Sequence, residues 1–117
     1  MSNYRAEKSL EARQKECAAM KIRYPDRVCV YLSRNPNCIT VPDIEKNKFL
    51  VPGDVTMSQF MTIVRKRIDI KQCDSIFIFT EHNTIPRSSD TMQSIYNYYH
   101  NIDGFLYMTY SSESTFG

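Results

Sequence analysis

The sequence has no apolar run that approaches the roughly 20 residues needed to cross a bilayer, so we expect no membrane-spanning segment. The first residues, Met1 to Arg5, lack the apolar stretch of a secretory signal peptide. No Asn-x-Ser/Thr acceptor for N-glycosylation occurs either. These absences predict a cytoplasmic protein.

Cysteines with metal-site spacing are also lacking. Cys17, Cys29, Cys38 and Cys73 are spread along the chain, and no pair has the Cys-x-x-Cys spacing. We therefore expect reduced, structural thiols and neither a metal nor a cofactor. The net charge of +2 is too small to indicate nucleic-acid binding by itself. A chain of 117 residues with 42% apolar and 24% charged residues is typical of one globular domain.

Apolar periodicity predicts helices and strands in alternation. Helical spacing occurs in Ser9–Arg23, in a long helix that begins at Thr56, and in a short helix that begins at Asp90 or Thr91. Strands are predicted at Arg27–Ser33, Lys48–Val51, Ser75–Thr80 and Phe105–Tyr110. The region of residues 2–8 is less regular.

Several local signals refine these predictions. Leu10, Cys17, Ala18 and Ile22 are predicted to form the apolar stripe of the first helix, and Thr56 with Gln59 has the spacing of a capping box. Alternation of apolar and other residues predicts a half-buried first strand, with Val28, Val30 and Leu32 on one face. Pro52 places the second strand at a sheet edge, because proline cannot donate to a strand ladder. The continuous apolar run 76–79 predicts a central strand that is buried on both faces.

The order of these elements predicts an α+β fold. A hairpin, a crossover helix and a return strand make a ubiquitin-like β-grasp, which is a four-stranded mixed sheet with one helix packed across it. The first and last strands are expected to be parallel neighbours at the centre of the sheet. We expect residues 1–23 to form an N-terminal helical extension, and residues 24–117 to form the β-grasp domain with a flexible C-terminal tail.

The sequence resembles the autophagy ubiquitin-like modifiers, which include the GABA-receptor-associated protein, microtubule light chain three and the yeast autophagy-related protein eight. The resemblance runs from about Leu10 to the end of the chain. It is carried by the segments Tyr24–Val28, Lys48–Pro52, Phe60 with Arg65–Ile68, and Gly104–Met108 leading to Phe116-Gly117. Cys29 departs from the family pattern, where proline is usual, and Met20 stands where a branched aliphatic residue is common.

The resemblance implies a substrate of conjugating enzymes rather than an enzyme. Phe116-Gly117 would be the conjugation site, and Gly117 would be joined by an amide bond to phosphatidylethanolamine on autophagosomal membranes. The implied partners are activating-like and conjugating-like enzymes, an autophagy cysteine protease, and cargo receptors with aromatic-x-x-aliphatic motifs. The protein is expected to be a monomer in solution that binds no nucleic acid.

The resemblance also implies two side-chain pockets beside the edge strand. The aromatic pocket would be lined by Glu16, Met20, Cys29, Lys48, Leu50 and Phe105. The aliphatic pocket would be lined by Phe49, Val51, Pro52, Val55, Phe60 and Ile63. The acidic residues that flank such motifs would meet Arg27, Lys46 and Arg67. Because Cys29 replaces a rigid ring and adds a backbone donor, we expect a somewhat altered aromatic pocket.

Other interpretations have less support in the sequence. Pairing a cysteine with His82 or His100 would suggest a nucleophile and base, but no motif favours this. Arg65-Lys66-Arg67 with Tyr98 and Tyr99 does not interleave basic and aromatic residues on one evident surface. Without the resemblance, Phe60 and Ile63 would be read as core residues of a helix. The remaining alternative is an adaptor that binds peptides with the same fold but is not conjugated.

Overall fold

The computed structural model describes residues 3–69 and 75–112. Within these ranges the elements are α1 (Tyr4–Glu7), α2 (Leu10–Arg23), β1 (Arg27–Arg34), β2 (Lys48–Pro52), α3 (Met57–Ile68), β3 (Phe77–Thr80), α4 (Met92–Tyr99) and β4 (Leu106–Ser111). The four described strands form one sheet in the order β2-β1-β4-β3. The central pair β1–β4 is parallel and both outer pairs are antiparallel. This arrangement confirms the predicted β-grasp and its central parallel pair.

Helix α3 packs across the sheet and begins at the predicted capping box. The Gln59 amide donates to the Thr56 hydroxyl at 3.3 Å, and the Thr56 amide donates to the Gln59 side chain at 2.9 Å. The helix is amphipathic, so one of its faces is buried. Its buried residues are Met57, Phe60, Val64 and Ile68.

Replacing Thr56 with alanine should lower the free energy of unfolding by about 1 kcal/mol, because the Gln59 amide in the first turn of α3 loses the hydroxyl that accepts its hydrogen bond. Chemical denaturation monitored by circular dichroism measures this loss. Ser58→Ala is the matched control, since Ser58 is exposed in the first turn of the same helix, and it should change stability by only about 0.5 kcal/mol or less. Equal stability of wild type and Thr56→Ala would show that the box adds nothing.

The sheet is buried on both faces. Residues of β1 and β4 that face α3 and α4 form the main core, which includes Val28, Val30, Leu32, Leu106, Met108 and Tyr110. The opposite face carries a second group, the N-terminal cluster, which consists of Tyr4, Cys17, Cys29, Tyr31, Phe105 and Tyr107. The prediction of a half-buried first strand was therefore wrong, because α1 and α2 cover the face of β1 that the alternation left to solvent.

The contact between α2 and the sheet is narrow. Of the predicted stripe on the first helix, only Cys17 is buried, whereas Ile22 is 84% exposed. Gly104 explains the close approach at Cys17, since a Cβ at this position would lie 2.9 Å from the Cys17 Cβ. Gly104 also has φ +95°, a conformation that favours glycine. The prediction that an apolar stripe packs α2 against the sheet was wrong, because only Cys17 of the stripe is buried. A polar contact, the ion pair between Arg13 and Asp103, also holds the helix in place.

Strand β3 lies at an edge rather than in the centre of the described sheet. It pairs with β4, through the register Phe77↔Ser111 to Thr80↔Met108. The prediction of a central strand was wrong, although the predicted burial is confirmed for Ile76, Ile78 and Phe79 of the apolar run. A continuous apolar run indicates that both faces of a strand are buried. It does not indicate whether the strand pairs with a neighbour on one edge or on both.

Candidate functional site

The edge strand β2 has backbone groups that alternate between its neighbour β1 and the outside. The Asn47 carbonyl accepts from the Leu32 amide at 2.9 Å, and the Gly53 amide donates to the Asp26 carbonyl at 3.0 Å. Both bonds point toward β1 and its preceding turn. Because backbone direction alternates along an antiparallel strand, the odd-numbered residues of β2 face β1 and the even-numbered residues face outward.

Lys48, Leu50 and Pro52 are thus the residues whose backbone groups lie on the outer side. Pro52 has no N–H to offer, and its place on the outer side means that the β1–β2 ladder loses no bond. The Lys48 carbonyl accepts from the Arg67 guanidinium at 3.1 Å. The position of β2 at the sheet edge confirms the interpretation of Pro52.

The face of β2 toward α2 carries a polar and aromatic group. Lys48 Nζ lies 2.6 Å from Glu16 Oε2, and the Tyr4 hydroxyl donates to Glu16 Oε1 at 2.8 Å. Lys48 Nζ also lies 4.3 Å from the centre of the Tyr4 ring. Burial alone would raise the pKa of Glu16, but hydrogen bonds from Lys48 and Tyr4 hold it below its ordinary value. Glu16 is therefore a stable anionic partner for Lys48.

The residues of the predicted aromatic pocket lie on this face of the sheet. Cys29 and Phe105 are buried in the N-terminal cluster, and Leu50 packs against it. Glu16 and Met20 are one helical turn apart on α2, so they project from the same side. Cys29 and Cys17 share a thiol hydrogen bond, which, together with burial, raises the pKa of Cys17. Cys29 thus lies beneath the surface, and Glu16, Met20 and Lys48 are the more accessible members.

The residues of the predicted aliphatic pocket are divided between core and surface. Phe49, Val51 and Phe60 are buried in the main core, and Val55 is partly buried against it. Ile63 is 38% exposed on α3. Phe49, Val51 and Phe60 therefore do not line an open pocket in this structure, because their side chains fill the core between β2 and the amphipathic helix α3.

Pro52 belongs to the other face of β2. Side chains alternate along a strand, so Pro52 lies on the same side as Lys48 and Leu50 rather than beside Phe49 and Val51. The structure thus places Pro52 on the opposite face of β2 from Phe49 and Val51, with which the family resemblance grouped it.

Arg67 closes the α3 side of the edge. Its guanidinium carbon lies 3.7 Å from the centre of the Phe49 ring, and Phe49 packs edge-on against Phe60 with ring centres 5.4 Å apart. Burial lowers the pKa of Arg67. Entry of a partner side chain above Phe49 would require Arg67 to move.

The other predicted basic contacts lie at opposite ends of the edge. Lys46 lines a groove of about 430 Å³ together with Tyr4, Glu7, Tyr31, Asn47 and Lys48. Arg27 lies at the far end of β1, where its guanidinium carbon is 5.1 Å from the centre of the Tyr24 ring.

Sequence reasoning missed Tyr4 and Tyr31 as members of the site. Alternation along β1 puts Tyr31 on the face opposite Val30 and Leu32, but alternation alone gives this residue no role. Tyr4 belongs to a helix of four residues, and so short an element carries no periodicity by which it could be recognised.

Phe116 and Gly117, the predicted conjugation site, lie outside the described residues. In the described ranges, no cluster of three or more His, Cys, Asp or Glu residues suits a metal ion, and no helix is long and apolar enough to cross a membrane.

Comparison with known proteins gives consistent matches over the whole chain. Residues 12–117 match the family described as autophagy protein Atg8 ubiquitin like. The chain is 44% identical over 117 residues to autophagy-related protein 8d of Arabidopsis thaliana, which covers 100% of this chain and 96% of that protein. It is 37% identical over 114 residues to human microtubule-associated protein 1 light chain 3 gamma. This match covers 97% of this chain and 78% of the human protein. The crystal structure of Trypanosoma brucei ATG8 superposes with a TM-score of 0.89 at 38% identity, covering 100% of this chain and 99% of that chain.

Proposed function

This chain belongs to the Atg8 family of ubiquitin-like autophagy proteins, and we propose that it is a modifier conjugated through Gly117 to phosphatidylethanolamine on autophagosomal membranes. There it recruits cargo receptors and autophagy machinery that carry aromatic-x-x-aliphatic motifs. It is a substrate of activating-like and conjugating-like enzymes and of an autophagy cysteine protease, and it is not itself an enzyme. The unconjugated form is cytoplasmic.

The observation that carries peptide recruitment is the outer side of β2. Lys48 and Leu50 direct backbone groups away from the sheet, so an extended peptide can add as a further strand. Main-chain hydrogen bonds of this kind supply affinity for any extended segment. Selectivity must come from the side chains beside the strand.

The two faces of β2 offer different surroundings to alternate side chains of such a peptide. On the α2 side, Glu16, Lys48 and the N-terminal cluster form an aromatic environment with a cation over a ring. On the α3 side, Phe49 and Ile63 offer apolar surface once Arg67 moves aside. An aromatic-x-x-aliphatic motif matches this division, and acidic flanking residues match Lys46 and Lys48.

Conjugation needs an activated carboxyl group, because a free carboxylate is a poor acyl donor. ATP supplies the activation, a cysteine thiol of the conjugating enzymes then holds the acyl group as a thioester, and the lipid amine displaces that thiol. Glycine suits the terminal position because it has no Cβ, which leaves its carbonyl open to attack. The lipid then anchors the protein through its acyl chains, at about 0.8 kcal/mol per buried CH₂.

Replacing Lys48 with alanine should weaken binding of an acidic peptide that contains Trp-x-x-Leu by about tenfold, or about 1.4 kcal/mol. The variant loses the Lys48 cation beside the peptide's acidic flank, and the Nζ of this lysine lies 4.3 Å from the centre of the Tyr4 ring. Isothermal titration calorimetry measures the dissociation constant directly.

Lys66→Ala is the matched control, because Lys66 is an exposed lysine on α3 and the substitution changes net charge equally. It should leave the dissociation constant within about twofold of wild type, apart from a small long-range charge effect. If both lysine variants weakened binding equally, general electrostatic attraction would explain the result. If neither changed the dissociation constant, β2 would not be the binding edge.

A further inference from the structure

Tyr4 occupies the aromatic side of the binding edge. Only 8% of this residue is exposed, although it belongs to the short helix α1 near the start of the chain. Its ring stacks on Tyr31 with centres 4.9 Å apart, and it meets the edge of Phe105 at 5.6 Å. Its hydroxyl donates to Glu16 and its ring lies beneath Lys48 Nζ.

These contacts are the ones that a partner's aromatic side chain would need. Glu16, Lys48 and Phe105 were each assigned to the aromatic pocket, and each is in contact with Tyr4. We propose that Tyr4 fills the protein's own aromatic pocket as an internal plug, and that an incoming aromatic side chain must displace it. This inference rests on the proposed peptide-binding function and concerns how access to that site is regulated.

Helix α1 is built so that it can be released. It has only four residues, and its N-cap Asn3 makes no side-chain hydrogen bond to the helix. A helix this short is not stable without tertiary contacts. Arg5 also holds this helix, since its guanidinium lies 2.9 Å from Glu81 Oε2 and 3.8 Å from the Tyr107 ring centre.

The groove beside the plug supplies a route of approach. Tyr4 and Tyr31 form part of its wall, and Lys46 and Lys48 lie along the same wall. An acidic segment that settles against these lysines would bring its aromatic residue next to Tyr4. Exchange of one ring for another would then keep the stacking on Tyr31 and the cation over the ring.

If Tyr4 fills the aromatic pocket, we expect the wild type to bind the Trp-x-x-Leu peptide more weakly than a variant without this side chain. When the binding-competent state is only a fraction of the population, the apparent dissociation constant rises in inverse proportion to that fraction. If about one molecule in ten is open, Tyr4→Ala should bind the Trp-x-x-Leu peptide about tenfold more tightly than wild type. Tyr4→Phe keeps the ring and loses only its hydrogen bond to Glu16, so it should tighten binding less.

Arg5→Ala tests the same idea through a residue that is not itself part of the predicted aromatic pocket. Arg5 contacts Glu81 and Tyr107, neither of which was assigned to the aromatic pocket. Loosening α1 through this partly exposed ion pair should tighten peptide binding by about twofold to threefold. Lys15→Ala, at an exposed cation on α2, is the charge-matched control and should leave the dissociation constant unchanged.

Hydrogen exchange of wild type reports the displacement itself. The amides of Glu7 and Lys8 donate to Asn3 and Tyr4 within α1, and they should exchange faster when saturating peptide is present. Tighter binding of both Tyr4→Ala and Arg5→Ala, together with this faster exchange, is the expected result.

Three other results would contradict the inference, and they can be told apart. If Tyr4→Ala bound more weakly and exchange in α1 slowed, Tyr4 would be a wall of the pocket and the inference would be overturned. If the variants bound with the wild-type dissociation constant, the plug would not exist although the proposed function would stand. If no form bound the peptide, the proposed function would be wrong and this inference would fall with it.

Discussion

Substituting Gly117 with alanine should eliminate the lipid-linked form of this protein in cells and leave its peptide affinity unchanged. A methyl group at Cα crowds the carbonyl that must be activated, transferred to a thiol and attacked by an amine. The proposed peptide-binding edge is strand β2, residues 48–52, which is far from Gly117 along the chain. Conjugation and recruitment should therefore separate cleanly.

The measurement is the intact mass of the protein in membrane fractions of starved native cells. Wild type should yield a species heavier by one phosphatidylethanolamine minus water, and Gly117→Ala should yield none. Ser114→Ala is the matched control, because it alters the same terminal segment and keeps the glycine. It should be lipidated like wild type.

Two results would contradict this proposal in different ways. If wild type showed no lipidated species but still bound the peptide, the protein would be an unconjugated adaptor, and its binding edge would carry the function. If Gly117→Ala were lipidated as efficiently as wild type, the conjugation site would lie elsewhere.

Replacing Asp103 with alanine should lower the free energy of unfolding by about 3–5 kcal/mol, the range typical of breaking a buried ion pair by removing one partner. The Asp103 side chain is 0% exposed and lies 2.6 Å from the Arg13 guanidinium. It also accepts hydrogen bonds from the Tyr107 hydroxyl and from the Phe105 amide at 2.8 Å. Removing the carboxylate leaves three buried or partly buried donors without their partner.

The same carboxylate accounts for the polar docking of α2. Arg13 lies on this helix, whereas Asp103 lies in the turn that precedes β4 and Tyr107 lies in β4 itself. Burial and the hydrogen bond to Asp103 both raise the pKa of Tyr107, so its hydroxyl stays protonated as a donor at physiological pH. Loss of Asp103 should thus loosen the N-terminal cluster before the main core unfolds.

Urea denaturation measures the loss, and Asp54→Ala is the control because Asp54 is an exposed aspartate after β2. The control should change the free energy of unfolding by about 0.5 kcal/mol or less. A loss below about 1 kcal/mol for Asp103→Ala would mean that water replaces the carboxylate and that the ion pair is not essential.

Much of the fold could be predicted because its signals are local. The capping box of α3 depends on two residues that are three positions apart, and Pro52 marks the edge strand by the donor that it lacks. The central parallel pair follows from the order of the elements and the need for a crossover. The family resemblance supplied the membership of the two pocket sets, whose roles remain predictions.

The errors concern contacts between segments that are far apart along the chain. Alternation in β1 could not show that α1 and α2 cover its second face. Similarly, an apolar run could not show that β3 pairs along only one described side. Each pattern depends on residues that are close together in the sequence. It therefore does not indicate which distant segment packs against the strand.

The sequence by itself determined the element order, the capping of α3, the edge position of β2 and the family to which the chain belongs. Only the tertiary structure decided that Tyr4 lies against Glu16 and Lys48, and that Arg67 covers Phe49. The physical reason is the range of the forces involved. Backbone hydrogen bonding and residue spacing act over a few positions, whereas packing joins side chains from different elements once the sheet has formed.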